Sequence, residues 1–395
     1  MLYLLLSRIR EWLESSGLYW TMSLLDQIQF RALAALLVSF LTVLFFGRRV
    51  IRFLVRMKIG DSGLSDAESL RTHSQGKANT PTMGGALIIG AIALATLLLA
   101  DISKFYVQLA LVVMLWAAAL GGIDDWLKLT AARRGAGSRQ GLYAWEKLVF
   151  QLGLGLLVGF FTYNHADTGA THNLGHVLNL PFQKTYESAQ GDVAPGLVYL
   201  GHGAFVLLSM LMLTGMSNAV NITDGMDGLA TGTSAAVSVG LLVIALICGS
   251  EQAARYLLVP HLPFTDELGV VAGAMIGACL GFLWWNCSPA QVFMGDTGSL
   301  ALGALIGYIA IVTRQELVVL LMSGVFLIEI ASVAIQVGVF KATRAATGTG
   351  RRVFKIAPYH HALHLSGWKE QQIVARAWIV AVLLVAIALW TLKVR

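Results

Sequence analysis

Read from its N-terminus, the chain alternates long apolar runs with shorter polar stretches. Ten runs are long enough to cross roughly 30 Å of hydrocarbon: residues 31–47, 84–100, 105–123, 148–163, 203–220, 229–249, 268–285, 299–313, 317–340 and 375–392. A transmembrane barrel would instead show roughly ten-residue segments of alternating polarity. Each run therefore predicts a helix, which satisfies its own backbone in lipid. The expected fold is all-α: a polytopic membrane bundle of about ten transmembrane helices, one domain spanning 1–395. Residues 1–30 read as an interfacial segment, because Arg8 and Arg10 interrupt the apolar start and no small-residue cleavage site follows.

Composition agrees. Hydrophobic residues make up 56% of the 395 and charged residues 13%, against roughly 25% charged in a soluble domain. The three cysteines, Cys248, Cys279 and Cys287, have no Cys-x-x-Cys spacing and read as packing residues.

Charge sets the expected orientation. The odd-numbered loops carry most of the Lys and Arg: seven in the first loop and five in the third, with Arg351, Arg352 and Lys355 among those of the ninth. The even-numbered loops hold four: Lys104, Lys184, Arg255 and Arg314. Odd loops should then be cytoplasmic and both termini periplasmic, with 341–374 a cytoplasmic loop containing histidines. This bias accounts for the net charge of +6 without invoking nucleic acid.

Acidic residues are costly in a bilayer unless paired, hydrated or bound to a cation, so their placement is informative. Asp124 and Asp125 end the third run, Asp224 and Asp227 lie in the fifth loop and Asp296 in the seventh, while His360, His361 and His364 lie in the ninth. All fall on the side expected to be cytoplasmic. Gly121-Gly122-Ile123-Asp124-Asp125 fits either two acids at the membrane surface or a pair whose repulsion a divalent cation relieves, with Gly admitting a second backbone. Asn218, Asn221, Asp224 and Asp227 recur every third residue, placing neighbours on adjacent helical stripes before two glycines break the helix. Such a break suits nucleotide or metal-phosphate recognition. In Phe293-Met-Gly-Asp296-Thr-Gly-Ser299, helix capping competes with an exposed functional carboxylate, and packing competes with base stacking for Phe293. Lys77, ahead of Pro81-Thr82-Met-Gly-Gly85, is either topogenic or directed at phosphate. His165, His172, His176 and His202 fall in or beside the long fourth loop and read as solvated. Glu329 is a deep carboxylate, either facing the bundle interior as a functional group or paired with a polar neighbour such as Gln336.

Together these stretches, with Phe282-Leu-Trp-Trp-Asn286, Pro289 to Asp296, Ala357-Pro-Tyr-His-His361 and Gly367-Trp368, resemble the phospho-N-acetylmuramoyl-pentapeptide-transferases. These belong to the polyprenyl-phosphate N-acetylhexosamine-1-phosphate transferase superfamily, and the resemblance runs from about Arg31 to Arg395. It implies a Mg²⁺-dependent transfer of phospho-MurNAc-pentapeptide from UDP-MurNAc-pentapeptide to undecaprenyl phosphate. The products would be lipid I and UMP, made in the bacterial inner membrane with the active site on the cytoplasmic face. By motif match it implies Mg²⁺ on Asp296, catalytic roles for Asp124, Asp125, Asp224 and His360, and uracil stacking for Phe293. Substrate contacts would come from Lys77, Thr82, Lys128, Lys147, Asn218, Asn221, Asp227 and His361. The resemblance also implies a homodimer. Direct attack by the lipid phosphate and a two-step route through a phosphorylated Asp both fit these residues, with direct attack preferred. One departure stands out: the family's third consecutive histidine is Ala362 here, and His364 replaces a common Glu. The alternative within the class is an N-acetylglucosamine-1-phosphate transferase. Outside it, a secondary transporter would place its acids near the midplane between internal repeats, and the sequence has no convincing repeat.

Overall fold

The computed structural model describes residues 2–17, 19, 23–57, 80–134, 141–166, 173–185, 193 and 195–393. Two short helices, α1 (Leu2–Arg8) and α2 (Arg10–Ser15), precede the bundle. Then come α3 (Ile28–Arg56), α4 (Gly85–Leu99), α5 (Phe105–Arg134), α6 (Ala144–Ala166), α7 (His202–Thr223) and α8 (Leu229–Gly249). The series closes with α9 (Glu251–Leu257), α10 (Glu267–Asn286), α11 (Gly295–Val312), α12 (Glu316–Met322), α13 (Gly324–Thr347), α14 (Tyr359–Leu365) and α15 (Glu370–Lys393). Among the described residues, nine helices are long and apolar enough to span a membrane, and α4 is a shorter apolar one. A two-residue antiparallel ladder, Val177–Leu178 with Val198–Tyr199, ties down the connection after α6.

All ten expected runs are helical, with two differences that matter. The third run does not stop at 123: α5 continues to Arg134, so Asp124, Asp125 and Lys128 lie within a helix rather than at its end. Trp-Leu-Lys-Leu after the acids offers no Gly or Pro to stop it. The ninth run is broken, with α12 ending at Met322 and α13 starting at Gly324. A Ser-Gly pair is a common place for a helix to break.

The core is built around α10 and α11, whose apolar windows are 78% and 94% buried. These helices are glycine-rich because their neighbours come very close. A Cβ added at Gly273, Gly277 or Gly281 would run into the α3 backbone at Ala32, Leu36 and Phe40. Small residues four apart are the usual means of close helix approach where lipid tails are as apolar as leucine. Gly303 and Gly307 of α11 meet the α7 backbone at Met216 and Met212 in the same way. At the end of α10 opposite Asn286, Arg31 forms a two-pronged buried pair with Glu267 at 2.6 and 2.9 Å. Glu267 also accepts from the Asp101 N–H.

Candidate active site

The site lies where the last turns of α7, the body of α5 and the first turns of α6 and α11 meet. Two glycines permit the meeting. A Cβ at Gly121 would occupy the place of the Asp296 carbonyl, and one at Gly85 that of the Gly298 backbone. Three chain segments thus press around the N-terminus of α11, whose first N–H groups have no partner within their own helix.

Carboxylates supply those partners. Asp125 Oδ1 accepts from the Asp296 N–H at 3.1 Å, and Oδ2 accepts from the Thr297 N–H at 3.0 Å and the Thr297 hydroxyl at 2.7 Å. Asp224, at the end of α7, accepts from the Gly295 N–H. The cap of α11 therefore comes from elements far away in the chain rather than from Asp296 or Ser299. Partial positive charge at the helix N-terminus favours both acids. Burial and the neighbouring Asp296 and Asp125 nevertheless push the Asp224 carboxyl up to about 7.

Asp124 and Asp296 share two ammonium groups. Lys147 Nζ lies 2.7 Å from Asp124 Oδ2 and 2.7 Å from Asp296 Oδ2; Lys128 Nζ lies 2.7 and 3.1 Å from the same two atoms. The other Asp124 oxygen accepts from the Leu142 N–H at 2.6 Å, just after Gly141 in a left-handed conformation (φ +95°). Asn221 orients the far side of Asp296, donating to Oδ1 at 2.8 Å and to the Ser299 hydroxyl at 2.9 Å. Asp124 is fully buried while the Lys128 side chain is 47% exposed and that of Lys147 19%, so the cluster is sunk at its base and open at Lys128.

Four carboxylates against two lysines leave the cluster net negative, and the acids around Asp296 offer carboxylate oxygens, the ligand type that suits a hard divalent cation. Among the described residues, no three His, Cys, Asp or Glu side chains converge on one metal-sized point. The residues fit a cation held through one or two carboxylates with substrate phosphates completing its shell, the usual Mg²⁺ arrangement.

His360 approaches from the ninth loop. It is 1% exposed, its Nδ1 lies 3.0 Å from Glu329 Oε2, and its backbone N–H donates to the same oxygen. Its Nε2 has no partner and points at Gly225, where a Cβ would collide with it. Glu329 thus pairs with His360 and not with Gln336. The Gln336 amide instead clamps the following loop, accepting from the Val353 and Phe354 N–H groups and donating to the Phe354 carbonyl.

The remaining expected residues divide. The Thr82 hydroxyl lies close beside Gly295, at the rim. Phe293 is half-buried, its backbone paired with Pro81 and Gly84. Asn218 is turned to Gln151, donating at 2.8 Å, and to the Thr214 carbonyl. Asp227 is 5% exposed and accepts from the Ala290 N–H, holding the loop ahead of Asp296. Since α7 ends at Thr223, Asp224 and Asp227 do not continue its stripes. The ring of His361 lies 4.2 Å from that of His360, and His364 is turned to the Trp368 carbonyl. Lys77 and His172 lie outside the described residues. Of the histidines read as solvated, His165 and His202 are exposed, with their rings against Phe105 and Tyr163, whereas His176 is buried and stacked on Tyr163 at 3.7 Å. Asn286 went without a role at the sequence level. Its carbonyl accepts from the Gly228 N–H and the Thr231 hydroxyl, fixing the left-handed turn that starts α8. The signal was there in an amide at the end of an apolar run.

Comparison with known proteins gives concordant matches. The model of Glycosyl transferase family 4 matches residues 107–314, and Phospho-N-acetylmuramoyl-pentapeptide-transferase signature 1 matches 77–89. The chain is 40% identical over 395 residues, covering all of both chains, to a phospho-N-acetylmuramoyl-pentapeptide-transferase of Chloroherpeton thalassium. It is equally similar, over the same extent, to the protein of that name from Chlorobaculum tepidum.

Proposed function

Since the chain belongs to the phospho-N-acetylmuramoyl-pentapeptide-transferases, we propose that it moves phospho-MurNAc-pentapeptide from UDP-MurNAc-pentapeptide to undecaprenyl phosphate. The products are lipid I and UMP, and the reaction takes place in the bacterial inner membrane. The observation that carries this reading is the pair of lysine ammonium groups suspended between Asp124 and Asp296, with Lys128 open to the outside. Phosphoryl transfer needs positioning and charge neutralisation more than covalent help, and that arrangement supplies both.

In this reading Lys128 and Lys147 receive the pyrophosphate oxygens, exchanging part of their contact with Asp124 and Asp296 for phosphate. Asp296 holds Mg²⁺, which when bound neutralises phosphate charge. Asn221 keeps Asp296 in one orientation. Thr82 and His361 contact the phosphates or the nucleoside, as does Lys77, and Phe293 takes the uracil face. Asn218 and Asp227 act through the segments they brace. An oxygen of the lipid phosphate attacks the β-phosphorus, and the bond from that phosphorus to the UMP oxygen breaks. His360, held by Glu329, points its free Nε2 at the Asp224 loop, where it can donate to a phosphate oxygen or hold a proton.

Direct attack is favoured over an aspartyl-phosphate. Both oxygens of Asp125 accept from the α11 cap, and both oxygens of Asp124 accept from N–H or ammonium donors. A carboxylate so engaged is a poor nucleophile. A homodimer is part of the same proposal.

The test is turnover by purified protein given Mg²⁺, undecaprenyl phosphate and either UDP-MurNAc-pentapeptide or UDP-GlcNAc. UMP and lipid product from the muramoyl donor alone are expected. Turnover of UDP-GlcNAc alone would overturn the substrate assignment, and a burst of UMP without acceptor would overturn direct attack.

A further inference from the structure

On the outer flank of the site end, α3 runs past the end of α10 and leaves a cleft of about 400 Å³ lined by Arg48, Ile51, Arg52, Trp285 and Gln291. Arg48 and Arg52 are one helical turn apart, so both guanidinium groups serve the same face. Arg52 Nε donates to the Arg48 carbonyl at 3.3 Å, and no described residue offers either guanidinium a carboxylate. The floor is apolar. The Trp285 indole packs where Gly47 leaves space, and its buried N–H has no partner.

The same stripe of α3 continues away from the arginines as Phe45, Leu41 and Leu37, which are 68%, 43% and 57% exposed. Spacings of three and four keep these residues in line with Arg48 and Arg52. A paired guanidinium fork at the end of an exposed apolar track matches a molecule with a phosphate at one end and hydrocarbon at the other. A free phosphate would make no use of the track. The polyprenyl acceptor has to bring its phosphate to Lys128 and Lys147, which stand on α5 and α6, whereas α3 packs on α4 and α10.

We propose that this cleft binds the phosphodiester headgroup of an acidic bilayer phospholipid of the cytoplasmic leaflet, and that its occupancy steadies the loop leading to Asp296. The coupling is short. The Gln291 N–H donates to the Trp285 carbonyl at 2.9 Å, and four residues separate Gln291 from Asp296. The leaflet follows from the Lys and Arg bias of that end of the bundle.

The experiment uses the full chain in nanodiscs of zwitterionic lipid, with and without phosphatidylglycerol. Native mass spectrometry reads lipid retention and UMP release reads turnover. Wild type should retain one phosphatidylglycerol, and the double variant R48Q/R52Q should lose that retention roughly tenfold, each arginine contributing a surface-electrostatic share. Arg49→Gln, whose guanidinium sits over Phe46 at 5.6 Å, should leave retention unchanged. Phosphatidylglycerol should raise wild-type turnover and leave the double variant at its rate in zwitterionic lipid. Equal retention by wild type and the double variant would overturn the proposal, and so would an equal loss in Arg49→Gln. Displacement of the lipid by inorganic phosphate alone would make this a free-anion site. Loss of undecaprenyl phosphate binding in R48Q/R52Q, with phosphatidylglycerol retained, would reassign the cleft to the acceptor. Retention is read without turnover, so failure of the transferase reading and failure of this one are separable.

Discussion

At the residue scale the two histidines of α14 have different surroundings. His360 is sealed at 1% exposure with one nitrogen on Glu329 and the other directed at Gly225. His364 spends its Nδ1 on the Trp368 carbonyl at 3.1 Å. His360→Ala should therefore lower turnover by roughly a hundredfold or more, the range for a positioned acid or base, and His364→Ala by much less; equal losses would refute the assignment. Glu329→Gln tests the positioning role. Glutamine keeps the shape and an accepting oxygen but removes the carboxylate that orients the His360 ring, so kcat should fall roughly tenfold or more with KM little changed. A purely structural role would lower thermal stability and leave kcat of the folded protein where it was. That pairing was out of reach of the sequence because Glu329 and His360 lie 31 positions apart, across the end of a helix and a loop. The sequence did reveal that both residues were unusual, since an isolated carboxylate in an apolar run demands a partner.

At the scale of elements, apolar length located the ten helices, because crossing hydrocarbon is a constraint each segment meets alone. Features that depend on neighbours stayed hidden. The apolar run ends at Ile123 although α5 continues past Asp125, and the break before Gly324 falls inside an unbroken apolar run, so a hydropathy run registers neither. The cap of α11 is one such feature. Asp296 and Ser299 looked like the capping candidates by position, yet the caps come from Asp125, 171 residues away from Asp296, and from Asp224. The glycines of α10 are a second case. Their spacing of four was visible in the sequence, but their partner helix was not. Gly277→Leu should force α10 away from Leu36 and Ser39 of α3. Overpacking costs about 1–3 kcal/mol, so a clear drop in thermal unfolding temperature in detergent is expected. Gly338→Leu, where a Cβ meets nothing within 4 Å, should unfold like wild type, and equal behaviour of the two variants would remove the close-approach argument.

For the whole molecule, residues from α5, α6, α7, α11, α13 and α14 gather at one end of the bundle, as alternating passes through a bilayer require. The odd-loop motifs were expected on one side, and their hydrogen bonds bring them there. Which side that end faces is a separate question, for which the Lys and Arg excess gives an expectation, and the chain carries its own reporter. Cys248 and Cys279 are buried, while Cys287 is exposed just past the end of α10, beside the loop that leads to Asp296. Of the chain's three cysteines, one is thus available to a membrane-impermeant maleimide without any mutation. If the odd loops are cytoplasmic, Cys287 should be labelled in inside-out vesicles and protected in right-side-out ones. With an even number of passes the same result places both termini outside. The opposite labelling pattern would invert the protein and put the site where a cytoplasmic nucleotide-sugar donor cannot reach it, so this one measurement bears on topology and proposed substrate together.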